Sequence, residues 1–200
     1  MKTFLRKLIG WLFRLLWNIE IYGEENLPPS EPMVIVANHS HMLDPFLIST
    51  VFPYNATAMA KAELFKNPIL RVLLYALDAE PVDRDASDIR AIRRSIEILK
   101  EQSLVIFSEG TRNRTGFQLE AKPGATLIAN KAGVRILPIT IAGSFKPFTT
   151  LKLFYHPVVR IEDFGYEKYN SETYTQISND IMSQIYETFR ENMDYAVKIS

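Results

Sequence analysis

A chain of 200 residues with 47% hydrophobic and 23% charged side chains suits one globular domain, neither disordered nor repetitive. Lys plus Arg and Asp plus Glu stand at 23 each, so no overall charge argues for nucleic acid as a partner. The absence of cysteine excludes disulfides, thiolate metal sites and a cysteine nucleophile.

The charge balance hides an asymmetry at the start of the chain. Residues 1–19 carry Lys2, Arg6, Lys7 and Arg14 and no acid. Thr3, Lys7, Gly10, Arg14 and Asn18 recur every three or four positions, which puts them on one narrow helical stripe surrounded by bulky apolar side chains. A basic helix with Trp and Phe on a wide apolar face fits one lying in a membrane interface. Trp11, Phe13, Trp17 and Arg14 are its expected membrane contacts. The alternative is a terminal helix docked on the core; the tryptophans and the lack of acids favour the membrane. The uncharged stretch 8–13 is far below the ~20 residues that span a bilayer. Arg14 interrupts any signal-peptide core. Residues 1–20 are therefore expected to form a membrane-associating amphipathic helix, and residues 21–200 an α/β domain.

After "GEENLPPSEP", whose prolines and glycine break a helix, strands and helices alternate. "MVIVAN" predicts a strand, and Asp44-Pro45 opens a helix through "FLISTVF", with Asp as N-cap and Pro at the first helical position. "ATAMA" reads as a strand, "NPILRVLLYAL" as a helix and "EPVDR" as a short extended segment. Residues 87–102 are a helix with Ile89, Ile92, Ile96 and Leu99 inward and Arg90, Arg93, Arg94 and Lys100 toward water. "SLVIF" is a buried strand, "PGATLIANKAG" a helix, "RILPITI" a strand and "PVVRIEDF" an edge strand. The last helix covers 171–193, with Tyr174, Ile177, Ile181, Ile185 and Phe189 inward. Continuous apolar strands alternating with helices imply a single domain with a central, mostly parallel mixed sheet flanked by helices.

In such folds the loops beyond the strand ends carry function. "ANHSHMLDP" places two of the chain's three histidines, His39 and His41, just ahead of Asp44. A turn followed by a capped helix can fold Asp44 back to His39, fixing the imidazole tautomer and leaving its other nitrogen free to take a proton. Taken alone, a helix cap beside solvated histidines is the more economical reading. "FSEGTRNRTG" follows the buried strand: Gly110 permits close approach of backbone to a ligand, Thr111 and Arg112 offer donors to an oxyanion, and Glu109 could orient Arg112 or a substrate hydroxyl. A solvated turn is equally compatible with that loop by itself. Arg84 in "PVDRD" and Lys61 in "AKAEL" are singly unremarkable. No phosphate-binding G-x-x-x-x-G-K-[ST] loop occurs. Together, a base without a protein nucleophile suggests activation of a substrate hydroxyl. Arginines at separate strand ends suggest a phosphorylated substrate, and the first helix a lipid one.

"NHSHMLDP", "AKAEL", "PVDR", "FSEGTRNR", "KPGATLIA" and "ILPITIAGS" stand in an order and spacing that resembles the bacterial 1-acyl-sn-glycerol-3-phosphate acyltransferase family. The resemblance covers about residues 20–165, and its core is N-H-x-x-x-x-D followed about 65 residues later by F-x-E-G-T-R. It implies acyl transfer from acyl-CoA or acyl-carrier protein to the 2-hydroxyl of lysophosphatidate, making phosphatidate at the cytoplasmic face of the membrane. No metal or other cofactor is implied. His39 would be the general base and Asp44 its orienting partner. Arg112, Arg84 and Lys61 would hold the phosphate, with Glu109, Gly110 and Thr111 shaping that pocket. Glycerol 3-phosphate or another lysophospholipid is the alternative acceptor, and a non-catalytic headgroup binder the alternative outside catalysis. Two departures stand out: His41 occupies a position where the family usually has serine, and Ser108 one where it usually has proline.

Overall fold

Strands that are mostly apolar along their length must be covered on both faces, and the computed structural model, which describes residues 2–76, 78–82 and 88–193, arranges the central strands in that way. The strands are β1 (Asn18–Tyr22), β2 (Val34–Ala37), β3 (Ala56–Lys61), β4 (Glu80–Val82), β5 (Ser103–Ile106), β6 (Ile136–Gly143) and β7 (Thr150–Tyr155). They form one seven-stranded sheet in the order β1-β7-β6-β2-β5-β3-β4. Every pairing is parallel except β6 with β7. The mostly parallel mixed sheet expected from the sequence is the observed one.

Helices α1 (Lys2–Leu16), α2 (Asp44–Val51) and α3 (Pro68–Ala76) cover one face; α4 (Asp88–Ile98), α5 (Gly124–Ala132) and α6 (Ser171–Asn192) cover the other. The period of two along β2 sorts its side chains between the layers: Ile35 and Ala37 join the first core, Val34 and Val36 the second. α5 ends where Gly133 takes a left-handed φ of 66°. The third histidine, His156, is a core residue: it is buried, its Nε2 lies 2.8 Å from Thr140 Oγ1, and burial pushes its pKa down.

The structure departs from expectation in several places, and β7 is a strand that the sequence pattern does not predict. β1 begins at Asn18, ahead of the boundary at residue 20, so helix and sheet are not separated there. "PVVRIEDF" is no strand: only Val159 bridges to Ile136, and Ile161–Phe164 close a 3-10 turn. Ile89 points to solvent, 62% exposed, because the buried seam of α4 runs through Ser95 and Ile98 instead.

The first helix is docked and exposed at once. Ile9, Phe13 and Trp17 are buried, and Gly10 faces Thr50 of α2, where an added Cβ would make ordinary van der Waals contact at 3.6 Å from the threonine Cβ. Arg6 donates to the carbonyls of Phe52 and Tyr54 at the end of α2. Burying three such side chains is worth roughly 1.5–3 kcal/mol each. Phe13 and Trp17 are therefore interior residues rather than membrane contacts, and their rings pack together at 5.2 Å. On the opposite side, Phe4, Leu8, Trp11, Leu12 and Leu15 remain exposed, as does Arg14. Among the described residues no helix is long and apolar enough to cross a membrane.

Candidate active site

The parallel register of β2 with β5, Val36 opposite Ile106, sends both chains out of the sheet side by side. Residues 70 apart in sequence thereby become neighbours, and the two polar loops are one site. At the exit of β2, buried Asn38 donates through Nδ2 to the Ile141 carbonyl at 2.9 Å and accepts from the Ile141 N–H at 2.8 Å. This side-chain amide extends the ladder to β6 and sets the height at which His39 emerges.

His39 Nδ1 lies 2.9 Å from Asp44 Oδ2. The same oxygen accepts the backbone N–H groups of Ser40 at 2.8 Å and His41 at 2.7 Å. Asp44 is completely buried as the first residue of α2. It was expected to cap the helix ahead of it, but its side chain reaches backward and closes the loop behind it. A carboxylate only accepts, so Nδ1 carries the hydrogen of the neutral ring and Nε2 keeps its lone pair. The imidazole stacks on Phe107 of the other loop, centroids 4.1 Å apart and planes inclined by 22°. Its side chain is 17% exposed while that of Asp44 is sealed. His41 stands outside the pair. Its Nδ1 accepts the Leu43 N–H at 3.2 Å, and its ring stacks on Phe145 at 4.4 Å.

The second loop is tied to the first through the His39 backbone. The Asn113 N–H donates to the His39 carbonyl at 2.6 Å, and the His39 N–H donates to Glu109 Oε2 at 3.3 Å. Glu109 is 4% exposed, and its Oε1 accepts from Asn113 Nδ2 at 2.6 Å and from the Tyr186 hydroxyl at 2.8 Å. Its carboxylate is thus committed inward, so the expectation that it orients Arg112 or lines a phosphate pocket gives way to one of bracing the loop. Burial, and then the hydrogen bond to Glu109, push the Tyr186 pKa up, which keeps the phenol a donor. Replacing Tyr186 with Phe is expected to lower unfolding free energy by about 1.5–3 kcal/mol, the range for a hydrogen bond to a charged group. An unchanged urea midpoint would show the brace to be dispensable.

Gly110 has a φ of 68°, and Thr111 and Arg112 beyond it are exposed. Arg112 makes no ion pair or hydrogen bond to another described residue. A Cβ at Gly110 would fall 2.9 Å from Nζ of Lys122, so the lysine lies across the bare glycine backbone. The Lys122 N–H donates to the Ser108 carbonyl at 2.8 Å, pinning the approach to α5 against the same loop. Lys61 ends β3, at the same edge of the sheet as the β5 exit, paired with Val82 of β4. Arg84 lies outside the described residues.

Sequence reasoning passed over Asn38, Asn113, Lys122 and Tyr186. Asn38, Asn113 and Lys122 stand inside the motifs "NHSHMLDP", "FSEGTRNR" and "KPGATLIA", where their side-chain donors and charge are the signal. Nothing local marked Tyr186, which is 77 positions from Glu109.

A histidine held by a buried carboxylate, beside cations at the carboxyl edge of a parallel sheet, defines an enzyme class that can activate a hydroxyl near an anionic group. Residues 18–142 match the protein family described as Acyltransferase, and the chain belongs to that family. It is an acyltransferase. The 1-acyl-sn-glycerol-3-phosphate acyltransferase of Borreliella burgdorferi is 28% identical over 194 residues, 92% of this chain and 77% of that protein. The protein of the same name from Bacillus subtilis is 34% identical over 134 residues, 66% of each. The structure of the 1-acyl-sn-glycerophosphate (LPA) acyltransferase PlsC from Thermotoga maritima superposes with a TM-score of 0.70 at 25% identity, covering 95% of this chain and 77% of that one.

Proposed function

We propose that the chain transfers a fatty acyl group from a thioester, acyl-CoA or acyl-carrier protein, to the 2-hydroxyl of 1-acyl-sn-glycerol 3-phosphate, yielding phosphatidate. The observation that carries this reading is the His39–Asp44 contact of 2.9 Å on a loop tied to Arg112 and Lys122 through Asn113 and Ser108. His39 Nε2 takes the hydroxyl proton as that oxygen attacks the thioester carbonyl. The carbon–sulfur bond then breaks, and the imidazolium returns the proton to the departing thiolate. Asp44 stabilises the imidazolium formed between the two transfers. Arg112 and Lys122, with Lys61 and Arg84, hold the phosphate, and Gly110 and Thr111 give it room to approach backbone. The exposed face of α1, with Trp11, Leu15 and Arg14, rests on the cytoplasmic face of the membrane without crossing it.

The test is an acceptor panel of lysophosphatidate, glycerol 3-phosphate, lysophosphatidylcholine and monoacylglycerol, each with acyl-CoA and acyl-carrier protein. Lysophosphatidate should be acylated fastest. Arg112→Ala and Lys122→Ala should each raise its KM about tenfold, the equivalent of ~1.4 kcal/mol of lost phosphate contact. KM for monoacylglycerol, which lacks the phosphate, should stay as it was. Equal effects on both acceptors would remove these cations from phosphate binding.

A further inference from the structure

The loop between β6 and β7, residues 144–149, faces two ways. Phe145 packs inward, stacked on His41 at 4.4 Å and edge-on to Trp17 at 5.9 Å. Three residues on, Phe148 is 82% exposed, more than any other large apolar side chain among the described residues. Its φ is 66°, in the left-handed region that a bulky residue seldom adopts. Neither packing nor backbone preference accounts for a phenylalanine there, and glycine or asparagine would occupy the turn with less strain.

The tip is nevertheless held firmly. The Phe148 N–H donates to the Leu16 carbonyl at 2.5 Å and the Asn18 N–H to the Thr149 carbonyl at 3.1 Å, joining the loop to the end of α1. Phe148, Leu15 and Arg14 line one open groove of about 420 Å³. The outward apolar row of α1, from Phe4 through Trp11 to Leu15, thus continues onto the loop. Its exposed charges are mainly positive: Lys7, Arg14 and Lys146 are exposed, no acid occurs in residues 1–19 or 143–150, and Glu20 at the far end of the groove accepts from Asn18 and Tyr22.

We propose that this loop is a second insertion point into an anionic phospholipid bilayer. Phe148 enters the acyl boundary in line with Trp11 and Leu15, while Lys146 and Arg14 meet the headgroups. The inference rests on the membrane reading of α1 given above. It adds a consequence for the active site. Phe145 of the same loop carries the ring of His41, so the depth of Phe148 sets the height of the His39 loop above the bilayer that supplies its lipid.

The full chain is sedimented with vesicles of phosphatidylglycerol and phosphatidylcholine, comparing Phe148→Gly with the double variant Trp11→Ser/Leu15→Ser. Phe148→Gly should weaken partitioning about tenfold, the scale of one aromatic side chain leaving an interface. Its thermal midpoint should hold or rise, since glycine relieves the left-handed φ, so weaker binding cannot be put down to unfolding. Wild-type partitioning by Phe148→Gly, with loss in the double variant, would overturn the second insertion point and leave the helix reading standing. No partitioning by the wild type would end both. A raised KM for acyl-carrier protein with vesicle binding intact would make the patch a protein-docking surface and also overturn the proposal.

Discussion

Replacing His39 with alanine is expected to lower thioester-dependent acylation of lysophosphatidate by about 10²–10⁴-fold, the usual contribution of a positioned general base. A bare hydroxyl is a poor nucleophile toward a thioester at neutral pH, and no cysteine is present to form an acyl-enzyme instead. The loss should fall on kcat. Arg112 and Lys122 belong to the other loop, so acceptor KM should change little. The fold should survive, because Asp44 retains the Ser40 and His41 N–H groups and Asn113 bonds the His39 backbone rather than its ring. Circular dichroism and steady-state kinetics on the same preparation separate the two effects. Wild-type turnover by this variant would remove His39 from proton transfer.

Asp44→Asn should cost about 10²–10³-fold in kcat. The amide oxygen can replace Oδ2 and keep accepting from the ring and the two backbone N–H groups, so the loop should hold its shape. What goes is the negative charge opposite the imidazolium. A unit pair about 4 Å apart is worth about 4 kcal/mol at an effective dielectric near 20. The new NH₂ group must then take the place of Oδ1, which is buried and has no hydrogen-bond partner among the described residues. An unpaired buried donor costs about 1–3 kcal/mol. A fall in urea midpoint should therefore accompany the kinetic loss, whereas a kinetic loss without it would show that the amide finds an acceptor.

The legible parts of the molecule were those whose causes are local. β2 is apolar at every position, and β5 and β6 are apolar but for Ser103 and Thr140, so their burial on both faces follows directly. The His39–Asp44 pair could be anticipated because a turn of five residues joins its members. β1 and β7 were missed because "NIEIY" and "TLKLFY" alternate polar with apolar residues; β1 is the edge strand, and β7 beside it is alternately half-buried and buried. The helix pattern in α1 could not reveal which apolar side docks, since both sides are apolar; only the shape of the core selects Phe13 and Trp17. Glu109 was misread for a similar reason. Its donors Tyr186 and the His39 N–H come from α6 and from the loop after β2, and only the assembled sheet brings them to it.

The central claim is that the site moves an acyl group onto a phosphate-bearing lysolipid by way of His39. Its most direct measurement is the appearance of phosphatidate and free thiol from purified protein, lysophosphatidate and acyl thioester, for wild type and His39→Ala side by side. One thiol released per phosphatidate formed by the wild type, with both reduced at least 10²-fold in the variant, is the predicted result. Equal product from the two proteins, or thiol released without phosphatidate, would contradict it.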